Sequence, residues 1–299
     1  GEIEPQGAKN EALQILSAVL LTAEKITISN VPDILDVLKL IELLEFMGVK
    51  VEKIASHTYT FQADDIDLDK LTTKEFATLG GGLRGSIMIL GPLLARFGMG
   101  VMPRPGGDKI GRRRLDTHFM GFQKLGAEFE YNHHQNLFKV HTKGRLKGAY
   151  MHLDEPSVTG TANIVMAAVL AEGTTTIYYA ACEPYLQQLC NMLNRMGAKI
   201  EGIGSNLLTI KGVEKLGGTE HRMLADMIEV GSFIGMAAMT QSSITIKNAD
   251  VQYLGLIPEV FRRLGIELTI SGNDIIVHEK EVCEIESYID GGILTIYDN

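Results

Sequence analysis

The sequence is short of cysteine, of long apolar runs and of positive charge. Three cysteines, Cys182, Cys190 and Cys283, are too few and odd in number for a disulfide framework, and they fit a reducing cytoplasm. No CxxC or clustered Cys/His spacing suggests a metal, and the pair His133-His134 would point to opposite faces of a strand. No stretch of about 18 uncharged apolar residues occurs. The greasiest run, Leu13–Leu21, has the length of a core helix, so no membrane partner is expected. The opening GEIEPQGAKN has no basic flank before an apolar segment, and no signal peptide is expected. Lys and Arg number 28 against 37 Asp and Glu, and a formal charge of −9 argues against nucleic acid as a partner. What remains is a soluble cytoplasmic chain of ordinary hydrophobic content, too long for one ordinary core, for which one or two domains are expected.

Repetition is what the sequence does have. Met47-Gly48-Val49-Lys50-Val51, Leu125-Gly126-Ala127-Glu128-Phe129, Met196-Gly197-Ala198-Lys199-Ile200 and Leu264-Gly265-Ile266-Glu267-Leu268 share one pattern, with glycines 78, 71 and 68 residues apart. Each follows apolar residues three and four apart, as in Val37-Leu38-Leu40-Ile41-Leu44, and precedes a short alternating run. The glycine reads as the left-handed residue closing a helix, and the alternation as a strand leaving that cap. Upstream lie four apolar helices with β-rich tails: AVLLTAEKITISNVP, GPLLARFGMGVMPRP, AAVLAEGTTTIYYAA and GMAAMTQSSITIKNA. Each unit therefore reads helix, strand, helix, strand, strand over roughly 70 residues. Three units give a first domain, residues 8–217. Residues 218–299 with 1–7 give a partial second domain, because a single unit leaves its sheet half exposed.

Four stretches draw attention as chemistry. Gly7-Ala8-Lys9-Asn10 opens the first helix, where free N–H groups and the helix dipole favour an anion; a solvated lysine beside an Asn cap is the plainer alternative. Leu79-Gly80-Gly81-Gly82-Leu83-Arg84 reads as a glycine-rich approach to the apolar helix Ile87–Phe97, with Arg84 unfavourable at a helix start unless an anion binds there. PRPGGDKIGRRRLDTH, Pro103–His118, gathers five basic residues around Asp108 on an irregular loop; forked arginine contacts to phosphate and a proton-carrying carboxyl are one reading, a self-paired solvated loop the other. Glu155-Pro156-Ser157-Val158-Thr159 precedes the apolar helix Ile164–Leu170, as a cap or as hydroxyl donors to a diphosphate. Helix starts in successive units, each with a cation or hydroxyls, suggest an enzyme acting on phosphorylated small molecules.

These stretches resemble the enolpyruvyl transferases, and among them the branch that acts on UDP-N-acetylglucosamine in peptidoglycan synthesis. GAKN at 7–10, RGSIMILGPLLARFG at 84–98, PGGDKIGRRRLDTH at 105–118, GRLKGA at 144–149 and AEGTTTI at 171–177, with Glu183-Pro184, agree in order along the chain. The resemblance implies an α/β fold of repeated βαβαββ-type units in an inside-out barrel, helices inside and sheets outside, in two domains of which the second is incomplete. It implies phosphoenolpyruvate and UDP-N-acetylglucosamine as partners, with no cofactor and no metal. By position, Lys9, Asn10 and Arg113 resemble phosphoenolpyruvate-binding residues. Arg84, Arg113, Arg114, Leu115, Asp116, Thr117, Glu155, Pro156, Ser157 and Val158 resemble the segments that hold the sugar nucleotide. Asp108 stands where most members place a catalytic cysteine and is implied to be the proton donor, with resistance to the thiol-alkylating antibiotic fosfomycin as the consequence. Glu155 stands where some members have lysine, and Ala225 replaces a proline often found before Asp226. The family's further catalytic aspartate and arginine belong to units five and six, so this chain is expected to be inactive alone. A shikimate-type transferase, or a non-catalytic protein that binds UDP-sugars, are the alternatives.

Overall fold

A computed structural model of the chain describes residues 1–103, 115–133, 136–293 and 295. The chain divides into two compact bodies: Lys9–Met223, and Gly1–Ala8 together with Leu224–Asn299. After β1 (Glu2–Ile3), the first repeat runs α1 (Lys9–Ala18), β2 (Ile26–Ser29), α2 (Leu35–Phe46), β3 (Lys50–Ala55) and β4 (Thr58–Gln62). An added helix, α3 (Lys74–Gly81), leads into the second repeat: α4 (Leu90–Phe97), β5 (Met99–Pro103), α5 (Asp116–Lys124), β6 (Glu128–Asn132) and β7 (Leu137–His141). The third is β8 (Tyr150–His152), α6 (Val158–Ala168), β9 (Thr174–Tyr178), α7 (Pro184–Arg195), β10 (Lys199–Glu201) and β11 (Leu207–Lys211). Then come β12 (Thr219–Arg222), α8 (Met227–Met239), β13 (Ile244–Ile246), α9 (Ile257–Arg263), β14 (Leu268–Ser271) and β15 (Asp274–Val277).

The pentapeptide glycines close their helices as the sequence predicts. Gly48, Gly126, Gly197 and Gly265 all have φ between 82° and 106°, each directly after the residue that caps a helix. The sheets repeat as well. Their strand orders are β12-β2-β4-β3, β5-β7-β6, β8-β9-β11-β10 and β1-β13-β15-β14. In three of the four, a short edge strand runs parallel to the strand that follows the unit's first helix. For the first unit that edge is β12, paired from Thr219↔Ile26 to Arg222↔Ser29. The expected domain boundary at 217/218 therefore moves to 223/224: β12 completes the first unit's sheet and stays with the first body. The start likewise moves from Ala8 to Lys9, because Ala8 N–H donates to the Leu224 carbonyl at 2.8 Å within the second body.

Within the first body the helices form the interior. Every residue of α6 from Gly160 to Ala168 is buried, whereas β9 and β11 alternate buried and open positions along their length. That alternation covers the helices with one apolar sheet face and leaves the other to solvent. Two helix ends are closed by arginines. Arg96 Nη1 donates to the carbonyls of Leu20, Thr22 and Ala63 at 2.7–3.0 Å, and Arg145 donates to Leu170 O at 3.1 Å and Val213 O at 2.8 Å. Cations there satisfy the last carbonyls and suit the negative end of the dipole. They also line a cavity of about 360 Å³ with Glu24, Glu214 and Lys215. The second body has a smaller core built on Val230, Ile234, Ile246, Ile275 and Val277. Among the described residues no single helix is long and apolar enough to cross a membrane; one bent pair, α3 with residues Arg84–Phe97, passes by composition but turns through 117°.

Two local expectations change. The glycines at 80 and 81 are the last turn of α3 rather than a loop, and Gly80 lets that turn approach Pro103, whose Cγ would lie 3.2 Å from an added Cβ. The helix expected over Ile87–Phe97 is a 3-10 turn over Arg84–Ile89 that passes into α4. Ser86 ties the tight turn: its one hydroxyl proton is shared between Gly80 O at 2.7 Å and Leu83 O at 2.5 Å.

Candidate functional site

Lys9 and Asn10 are the first two residues of α1, where four backbone N–H groups have no partner inside the helix. Lys9 Nζ lies 2.5 Å from a carboxylate oxygen of Asp36 in the first turn of α2, and both side chains are partly exposed. The turn that Arg84 opens packs on α1 just beyond: a Cβ at Gly85 would come within 2.8 Å of the Leu13 methyls. A larger residue at 85 would push the Leu13 side chain aside, so glycine keeps the Arg84 turn close against α1.

Arg84 also faces the start of α5. The His118 imidazole is buried and its pKa is lowered to about 4, chiefly by loss of solvent and secondarily by the Arg84 charge. Its tautomer follows from its neighbours. Asn163 Oδ1 accepts from Gly91 N–H at 2.7 Å, which fixes the amide so that Nδ2 donates to Ile87 O at 2.9 Å and to His118 Nδ1 at 3.0 Å. The remaining proton is then on Nε2, 3.4 Å from the Thr159 hydroxyl. One buried amide thereby joins α4, α5, α6 and the Arg84 turn.

The start of α6 meets the start of α5. Ser157 caps α6 by accepting from Gly160 N–H at 3.2 Å, and Thr117 Oγ1 donates to Glu155 Oε1 at 3.2 Å. An added Cβ on Gly160 would lie 2.8 Å from Thr117 Cγ2, so the two first turns touch. α6 begins at Val158, earlier than the expected Ile164, and Thr159 is inside the helix rather than before it. Leu115 is the residue before α5, Asp116 is exposed in its first turn, and Pro156 is exposed beside Ser157.

Of the residues singled out in the sequence, Lys9, Asn10, Arg84, Leu115, Asp116, Thr117, Glu155, Pro156, Ser157 and Val158 thus lie at four element starts of the first body: those of α1, the Arg84 turn, α5 and α6. Asp108, Arg113 and Arg114 lie outside the described residues. Open first-turn N–H groups beside Lys9 and Arg84 suit anionic oxygens. Glu155, a carboxylate already engaged by Thr117, instead suits a hydrogen-bond donor. The sequence did not single out His118, at the end of the Pro103–His118 stretch, or Asn163, just before the apolar run Ile164–Leu170; a polar residue at the edge of an apolar helical run was the available signal.

The family profile described as EPSP synthase (3-phosphoshikimate 1-carboxyvinyltransferase) matches residues 1–294. A protein of Bacteroides thetaiotaomicron called UDP-N-acetylglucosamine 1-carboxyvinyltransferase is 64% identical over 298 residues, covering 100% of this chain and 68% of its own length. A protein of the same name from Porphyromonas gingivalis is 59% identical with the same coverage. Among solved structures, the enolpyruvyl transferase NikO from Streptomyces tendae superposes with a TM-score of 0.81 at 19% identity, over 93% of this chain and 65% of that one. EPSP synthase from Acinetobacter baumannii gives 0.69 at 20% identity, over 93% and 63%.

Proposed function

This chain belongs to the EPSP synthase family of enolpyruvyl transferases, and on that premise we propose that it serves the transfer of the enolpyruvyl group from phosphoenolpyruvate to the 3-hydroxyl of UDP-N-acetylglucosamine. It has the family's α/β fold. What supports the substrate assignment is a set of helix starts within one body that offer backbone donors, cations and hydroxyls: Lys9 and Asn10 open α1, the Arg84 turn packs on α1 at Leu13, and the first turns of α5 and α6 touch at Thr117 and Gly160. Relatives that share 59–64% of the sequence bear the name of this reaction, which favours it over the shikimate-type transfer.

In the proposed reaction the sugar oxygen forms a bond to C2 of phosphoenolpyruvate, its proton is removed, and C3 gains a proton. The C2–O bond to phosphate then breaks as C3 loses a proton, giving enolpyruvyl ether and inorganic phosphate. The transition states need cations on phosphate and carboxylate and a group that holds a proton near C3. Lys9, Asn10 and Arg113 are assigned to phosphoenolpyruvate. Arg84 and residues 113–117 and 155–158 are assigned to the sugar nucleotide. Asp108 is assigned as the proton donor. An unperturbed aspartate has a pKa of about 3.9 and would be ionised at neutral pH. Two anionic substrates beside it raise that value, so proton donation is coupled to occupancy of the site.

The test is phosphate release by the intact protein that carries this sequence. Release with UDP-N-acetylglucosamine but not with shikimate 3-phosphate is the expected result. Asp108→Asn should lower kcat by at least about a hundredfold, in the range for loss of a general acid. Binding of the sugar nucleotide without any phosphate release would leave a non-catalytic role and overturn the proposal.

A further inference from the structure

Beneath the candidate site runs a buried ionic line that the roles assigned above do not use. Glu11, the third residue of α1, is 0% exposed, and its Oε1 lies 2.7 Å from Nε2 of His221 on β12. The other nitrogen of that ring, Nδ1, is 2.6 Å from Nη2 of Arg195, the last residue of α7. A guanidinium only donates, so Nδ1 accepts and the imidazole proton is on Nε2, directed at the carboxylate. A neutral ring therefore stands between a buried anion and a cation, and three elements are tied end to end.

Such a line is a poor way to gain stability. Taking a carboxylate and a guanidinium out of water costs several kcal/mol for each, roughly as much as their attraction returns, and apolar groups of the same volume serve a core as well. What the line does supply is direction. It fixes α1 at its first turn, and the first two residues of that turn are Lys9 and Asn10. The Glu11 carboxylate is turned into the core, balanced by Arg195, so it takes no part in repelling an anion at the exposed helix start.

We propose that Glu11, His221 and Arg195 are positioning residues for the phosphoenolpyruvate-binding pair Lys9–Asn10. They hold the first turn of α1 at the angle from which its N–H groups and the Lys9 ammonium reach the substrate. This inference rests on the function proposed above.

Steady-state kinetics on the intact protein test it. His221→Phe should raise KM for phosphoenolpyruvate about tenfold while kcat and KM for UDP-N-acetylglucosamine stay within about twofold, the pattern of lost binding without lost chemistry. Glu11→Gln, which keeps an oxygen to accept from the ring, should return KM to within about threefold of wild type. Because single substitutions leave a buried charge unpaired, a triple replacement Glu11→Leu, His221→Phe, Arg195→Met serves as the folded control. It should melt near wild type, show faster amide exchange at residues 10–12, and keep the raised KM. A folded triple variant with both KM values unaltered would overturn the proposal. So would variants whose kcat falls only with their folded fraction. Wild-type protein that releases no phosphate would sink the functional reading itself, and this proposal with it, before any variant is compared.

Discussion

At the scale of single residues, His118 carries the most information about the site, because its burial sets both its charge and its neighbours' geometry. Its pKa of about 4 lies below the ordinary 6.5, so the unfolded chain takes up this proton before the folded one does. The sign follows: the contribution to stability is complete above pH 6.5 and is lost as pH falls towards 4. The gap corresponds to about 3 kcal/mol at 1.36 kcal/mol per pH unit. Urea midpoints measured from pH 7 to pH 4 should fall steeply in wild type and less steeply in His118→Gln. Parallel profiles would show that the ring does not titrate as its burial demands. Asn163 should be equally intolerant of change, since its amide satisfies Gly91, Ile87 and His118 at once and none of them has water to turn to.

At the scale of elements, the repeated pentapeptide was the most legible feature, for a physical reason. A left-handed residue after a helix is a local demand that glycine alone meets cheaply, so it is written in the sequence wherever it occurs. Its cost can be separated from packing by comparing two copies. At Gly126 an added Cβ meets nothing within 4 Å, so Gly126→Ala should cost only the left-handed conformation, about 1–2 kcal/mol. At Gly48 the same Cβ would fall well inside contact with the Asp65 carbonyl oxygen, and Gly48→Ala should cost clearly more. Chemical denaturation of the two variants ranks them, and equal losses would refute the distinction. Less legible was the approach to Arg84. Gly80 and Gly81 looked like loop residues because propensity disfavours them in helices, whereas at Gly80 tertiary contact with Pro103 favours the lack of a side chain. The candidate site was readable as four short stretches, but not the amide of Asn163 that ties the α5 and α6 stretches to the Arg84 turn, because that role depends on which helices meet.

At the scale of the whole molecule, the hidden information is the pairing of distant segments. Ser29 and His221 stand 192 residues apart, yet β12 lies parallel to β2 and completes its sheet. Nothing local to residues 219–222 announces that partner, which is why the repeat pattern alone put the boundary after Gly217. The structure makes the difference measurable. A fragment of residues 9–223 keeps β12, the ladder on Ile26 and Ile28, and the His221 contact to Glu11. A fragment of residues 9–217 loses all three and leaves the Glu11 carboxylate buried without its imidazole. Leaving a buried carboxylate without its hydrogen-bond donor costs more than the roughly 1–3 kcal/mol of a neutral buried group. That is a large share of the roughly 5–15 kcal/mol that holds a domain together. The longer fragment should therefore unfold cooperatively in urea. The shorter one should unfold at markedly lower concentration, or bind a hydrophobic dye before any denaturant is added. If both fragments share one midpoint, β12 is not integral to the first body and the boundary belongs where the repeats alone would draw it.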